Sequence, residues 1–298
     1  MVRQYKIHTN LDGTDDKVWD VTNGKVRFYQ PSNLGLQSTN NIWQSNGIGV
    51  MGTRSITQPQ IEFKLETFGE SLEENYQLMK DFINDILNQK FVTLEYQTEI
   101  FQVYADLALA DVTKTEGYGK NGTFSEKITF DIITKWYTYE NLTFEKIQNG
   151  QVLSGKSKIY GGTAPGSYKY VEGISYTYYG ENDIDRLSRW DIKDEIFSFM
   201  GILYPQLPKT PTGVRFLDDI GNEYTAIVFK TEQLQNYILI NTDVNDEIYQ
   251  GWNGTTPLNL FPVMDFERYR TRIIEKGQME LINLTKAEFK IKRKADFI

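Results

Sequence analysis

Residues 61–66 read Ile61-Glu62-Phe63-Lys64-Leu65-Glu66. Three apolar side chains alternate with three charged ones, so an extended chain would put all the oil on one face and all the charge on the other. That is the pattern of a strand buried on one side. The rhythm returns at Phe101, Val103, Ala105 and Leu107, and again at Ile128, Phe130 and Ile132 between Lys127, Thr129 and Asp131. Turn dipeptides break the chain between such runs: Asp12-Gly13, Asn23-Gly24, Asn121-Gly122, Gly221-Asn222 and Asn253-Gly254. The chain therefore reads as mainly β. One segment departs from the rule. Leu72, Tyr76, Met79, Ile83 and Ile86 recur at helical spacing, which predicts one α-helix over residues 71–89. Ser71 and Glu74 form a capping box at its start, and Glu73 sits where the helix dipole favours negative charge.

Beyond the closing strand near Ile132 the composition shifts. From Gln148 to Gly180 the chain is rich in Gly, Ser, Lys and Tyr, with little aliphatic content. Six of the 19 tyrosines crowd into it: Tyr160, Tyr168, Tyr170, Tyr176, Tyr178 and Tyr179. Residues 184–199 are charged and suggest one short helix, and Tyr204 to Pro211 suggests a proline-punctuated linker. A second β-run follows, with strands expected at Val214/Phe216, Tyr224/Ala226/Val228, Tyr237–Ile240, Met279/Leu281 and Phe289/Ile291. Two β-rich units are expected, residues 1–135 and 136–298, the second carrying an extension at about 145–200.

Bulk composition removes several kinds of chemistry. The 298 residues are 40% hydrophobic and 14% aromatic, enough for a packed core and for broad contact surfaces. A formal charge of −8 argues against a protein that neutralises many phosphates. There is no Cys, hence no disulfide, thiolate metal site or thiol nucleophile. One histidine, His8, would have to serve any triad or imidazole metal site alone. No run approaches the ~18 apolar residues of a membrane span, and Met1 to Asn10 lacks a signal-peptide core. The expectation is a soluble protein made in the cytoplasm.

The short motifs point to no cofactor, metal or catalytic set. Gly47-Ile-Gly49-Val-Met-Gly52 and Gly117-Tyr-Gly119-Lys-Asn-Gly122 match the dinucleotide-binding string, but strand patterns rather than helices follow both, so they read as flexible loops. His8 reads as an exposed strand residue without a motif partner. Asp183, Asp185, Asp191, Asp194 and Glu195, interleaved with Arg186, Arg189 and Lys193, lack the glycine and terminal Glu of a calcium loop and read as a solvated surface. Lys290, Lys292, Arg293 and Lys294 around Ile291 suggest an edge strand guarded by charge. No spacing singles out a catalytic pair of carboxylates.

The order of these parts resembles the distal tail proteins of long non-contractile-tailed bacteriophages, and the likeness is nearest to the baseplate hub proteins of lactococcal phages. The residues that carry it are Gly52-Thr-Arg-Ser-Ile, Ile61–Leu65, the Ser71–Gln89 helix, Phe91–Tyr96, Thr123–Ile133 and Trp136-Tyr137-Thr138-Tyr139. Further along the chain it rests on Tyr237–Ile240, Gly251-Trp252-Asn253-Gly254 and Ile273-Ile-Glu-Lys-Gly277. The resemblance implies a ring-forming belt domain over 1–135 and a galectin-like β-sandwich over 136–298 with an arm and hand. It implies no enzyme and no cofactor, but a virion protein of the tail-tip baseplate. Six copies would form a ring between the major tail protein and a tail-associated baseplate protein, DNA passing through the lumen unbound. Receptor-binding protein trimers would hang on the arm, whose contacts are expected at Tyr160, Tyr168, Tyr170, Tyr176, Tyr178, Tyr179 and Trp190 with Arg186 and Arg189 at the rim. Tyrosine suits such a role, giving large amphipathic contact for two torsions. The competing expectation is a carbohydrate-binding module. Against it, His8 lies outside the sandwich and Trp252 lacks the His-x-Asn-Pro-Arg partners of sugar-binding galectins.

Overall fold

The computed structural model describes residues 3–13, 15–35, 37–57, 59–114, 125–145, 147–148, 151–152, 186–244 and 246–295. They fall into two compact units, Met1–Thr138 with Ala295–Ile298, and Tyr139–Lys294.

The first unit contains β1 (Gln4–His8), β2 (Val18–Asp20), β3 (Val26–Ser32), β4 (Gln37–Ser45), β5 (Ile48–Thr57), β6 (Ile61–Thr67), α1 (Leu72–Leu87), β7 (Val92–Gln97), β8 (Gln102–Thr113) and β9 (Ser125–Ile132). Seven strands make one antiparallel sheet in the order β2-β1-β7-β8-β9-β6-β3. The sheet curls until its ends meet, where the Phe28 amide donates to the Val21 carbonyl at 2.7 Å. Burial along β6 alternates without a break: Ile61, Phe63, Leu65 and Thr67 face inward and Glu62, Lys64 and Glu66 outward. Tyr5, Ile7, Leu94, Ala105, Leu107, Ile128 and Phe130 complete that core.

Helix α1 forms as expected, but it presents a different face. Leu72 and Tyr76 are exposed, while Asn75, Phe82 and Ile86 are buried. Phe82 sets the rotation, because its ring meets Trp19 and Phe28 edge-on at 5.2 and 5.8 Å. The Ser71 hydroxyl accepts the Glu74 amide at 3.1 Å. The Glu74 carboxylate reaches one residue further back than a capping box requires, to the Glu70 amide at 2.7 Å.

The second unit is a sandwich of two antiparallel sheets. From Tyr139 on it takes in β10 (Tyr137–Glu145), and then β11 (Ile147–Gln148), β12 (Gln151–Val152), β13 (Arg186–Ile192), β14 (Ile196–Pro205), β15 (Thr212–Leu217), β16 (Glu223–Phe229), β17 (Tyr237–Asn241), β18 (Ile248–Trp252), β19 (Pro257–Asn259), β20 (Gly277–Ile282) and β21 (Leu284–Lys294). One sheet runs β19-β18-β17-β14-β21-β10 and the other β13-β20-β15-β16. Phe199, Leu203, Ile238, Ile240 and Phe289 from the first meet Val214, Phe216, Phe229 and Leu281 from the second.

Three expectations are corrected here. The short helix over 184–199 is instead β13 and the start of β14, because Ile196, Phe199 and Leu203 serve a sheet core. Residues 205–211 do not link units. They join β14 to β15 inside the sandwich, with Leu207 bonded to Asn283. The basic terminal strand is not an edge: β21 lies between β14 and β10. Its alternate residues Phe289 and Ile291 enter the core, Lys292 is buried against Asp243 at 2.9 Å, and Lys290 sits 4.0 Å over the Tyr139 ring. Long lysine stems let a charged row cover a central strand.

Candidate functional site

Among the described residues of the first unit, the β4–β5 hairpin is exposed along its length. Its register runs from Gln37 opposite Thr57 to Ser45 opposite Ile48, in a two-stranded sheet of its own. The turn is Asn46-Gly47, both with positive φ (50° and 79°). That is the geometry in which a two-residue turn matches strand twist, and Asn-Gly is its strongest sequence signal. Reading Gly47–Gly52 as a loop missed this signal. Gly49 and Gly52 are strand residues of β5.

Every residue of β4 is exposed, yet the ribbon is not polar. Trp43 faces Val50 across the ladder, with Ile48 two positions along, and these three are 67%, 63% and 70% exposed. Ile42 and Met51 pair on the opposite face at 54% and 49%. Nine residues extend about 30 Å. A ribbon with apolar side chains on both faces gains stability only when something covers it, since an isolated two-stranded hairpin is marginal in water.

Most of the expected arm contacts fall outside the described residues. Tyr160, Tyr168, Tyr170, Tyr176, Tyr178 and Tyr179 are outside the described residues, as are Asp183, Asp185 and Gly117–Gly122. Arg186 and Arg189 belong to β13, in register with Ile282 and Glu280 of β20. Trp190, opposite Met279, is half-buried and packs against the sandwich core. Nearby, Asp191 accepts from Gln278, Asp194 faces Arg293 and Glu195 pairs with Lys294.

His8 was expected to be exposed, and it is buried. Its Nδ1 lies 2.6 Å from Asp16 Oδ2 and its Nε2 lies 2.8 Å from Glu95 Oε2. These partners sit 8 and 87 residues away in the chain, so no local motif announced them. Among the described residues, no group of three or more His, Asp or Glu is placed to hold a metal ion. In the sandwich, Trp252 stacks on Tyr237 at 5.7 Å and 15°, and its indole N–H is shielded from solvent.

Comparison with known proteins covers the whole chain. Residues 4–133 match the family model described as "Distal tail protein, N-terminal domain", and residues 135–298 match "Dit, C-terminal domain". The distal tail protein of Lactococcus phage p2 is 92% identical over 298 residues, all of both chains. That of Lactococcus phage SK1 is 90% identical, again over all of both. Among solved structures, the chain resembles one from the phage p2 baseplate in its activated conformation with Ca, with a TM-score of 0.79, 92% identity and full coverage of both chains. The SPP1 Dit crystal structure shares the fold at a TM-score of 0.54 and 10% identity, covering 99% of this chain and all of that one.

Proposed function

Since the chain belongs to the distal tail protein family, we propose that it closes into a sixfold ring through its first unit and anchors receptor-binding proteins through its second. It is a structural component of the baseplate at the phage tail tip and not an enzyme. In the proposed ring, the major tail protein meets one face and a tail-associated baseplate protein the other, and DNA passes through the lumen. The net charge of −8 favours passage over adhesion.

One observation carries the self-assembly: the β4–β5 hairpin, with Ile42, Trp43, Ile48, Val50 and Met51 exposed on both faces of a ribbon that stands outside the sheet of its own unit. An arm that reaches for a different surface of the next copy makes a head-to-tail contact, and such contacts close by rotation into rings. Trp43→Glu together with Val50→Lys, two exposed positions, should leave each chain folded and shift the full-length protein from ring to monomer in native mass measurements. A ring that persists at micromolar concentration with both charges in place would remove the hairpin from the interface.

Anchoring of receptor-binding trimers rests on the tyrosine-rich composition of about 145–200. The narrower segment 153–185 is the candidate, because Arg186–Ile192 already pairs with β20.

A further inference from the structure

His8 is the only histidine of the chain, and each of its ring nitrogens lies within hydrogen-bond distance of a carboxylate oxygen. An ionised carboxylate has no hydrogen to give, so each of these contacts is a hydrogen bond only where the ring nitrogen carries the hydrogen. We propose that His8 is a proton-held brace. As an imidazolium it ties the connection between β1 and β2 to β7, and loss of its proton releases that connection.

The surrounding charges support this. Lys6 of β1 sits 2.9 Å from Glu95 Oε1. Lys6 and His8 on one side and Glu95 and Asp16 on the other thus form a balanced set of two cations and two anions. Burial pushes the Glu95 carboxyl up, but hydrogen bonds from Lys6 and His8 and their charges together outweigh it and hold it below the ordinary carboxylate range. On β8, burial first and then the charges of Glu95 and Asp12 push the Tyr104 hydroxyl above its ordinary value. On the same strand, Asp106 accepts from the hydroxyl of Thr93 at 2.8 Å, and Thr93 is in register with His8.

A neutral imidazole keeps one hydrogen, so one of the two ties must face a lone pair. Glu95 is nearly fully buried and keeps Lys6. Asp16, at 19% exposure of its side chain, keeps the Asn10 amide at 3.0 Å and is open to water. The Asp16 tie is therefore the one that opens. It releases the stretch leading into β2, whose Trp19 indole donates to Asp85 of α1 at 2.9 Å and whose neighbour Lys17 pairs with the same carboxylate.

Hydrogen exchange on the full-length protein between pH 5.5 and 8, corrected for intrinsic pH dependence, tests the brace. Protection of residues 9–20 should fall about tenfold, the scale of one charge-assisted hydrogen bond, while 92–97 stays constant. His8→Gln should show low protection of 9–20 throughout and no step. Asp16→Asn, changed at the wetter end and so spared the buried site, should also lose the step. With 15N-histidine labelling, both ring nitrogens should carry hydrogen at pH 5.5. A step that survives in either variant, no step in the unaltered chain, or a ring nitrogen without hydrogen at pH 5.5 would overturn the proposal.

Discussion

Asn283 turns the chain between β20 and β21 with a left-handed φ of 53° and no exposed surface. Its amide nitrogen donates to the Leu207 carbonyl at 2.9 Å and the Thr212 hydroxyl at 2.7 Å, and its oxygen accepts the Leu207 amide at 3.0 Å. Asparagine is among the few non-glycine residues that tolerate this backbone and can satisfy the connection beside it. Asn283→Ala should destabilise the sandwich by about 3 kcal/mol, measured by denaturant unfolding. Glu95 allows a second residue-scale expectation. A carboxyl held below its ordinary range stabilises the fold above that range, and the stabilisation drains away as pH falls through the depressed value. Glu95→Gln should flatten the acid limb of the stability profile of the first unit; an unchanged limb would mean that Lys6 and His8 do not hold the charge. Neither site was legible in the sequence, because Asn283 works 71 and 76 positions away and Glu95 works 87 and 89.

Among the elements, α1 shows how tertiary contact chooses between faces that periodicity leaves nearly equal. Leu72 and Tyr76 fit an apolar stripe with Met79, Ile83 and Ile86, yet the helix turns so that Asn75 and Phe82 go inward. Asn75 is tolerated there because its oxygen accepts the Gly69 amide at 2.6 Å and its nitrogen donates to the Ser71 carbonyl at 3.0 Å. Phe82→Ala should cost about 4 kcal/mol, read as a lower melting temperature of the first unit with the sandwich transition unmoved. Leu72→Ala, at an exposed position, should cost under about 0.5 kcal/mol by the same measurement. The reverse order of effects would restore the stripe as first read. The hairpin, by contrast, was written locally in Asn46-Gly47.

For the whole molecule, the chain passes through the first unit, builds the sandwich, and ends with Ala295 back among the residues of the first, its amide donating to the Trp136 carbonyl at 2.9 Å. Chemistry at this scale is contact rather than catalysis. If residues 153–185 are replaced by a short Gly-Ser linker between Val152 and Arg186, both units keep every described strand. The ring should persist and co-purification with the receptor-binding protein should be lost. Capture at undiminished affinity would place the docking surface elsewhere.

By itself the sequence determined the strand identity of Ile61–Leu65, Val103–Leu107 and Ile128–Ile132, the existence and cap of α1, the absence of thiol chemistry and the family resemblance. The resemblance rests on the order of parts along the chain; the others depend on residue type or on spacing within a few positions, where alternation and capping act directly. Only the tertiary structure decided that β21 is central, that α1 turns on Phe82, and that His8 lies between two carboxylates. Those outcomes depend on which distant strands become neighbours, and burial, not local propensity, selects among them.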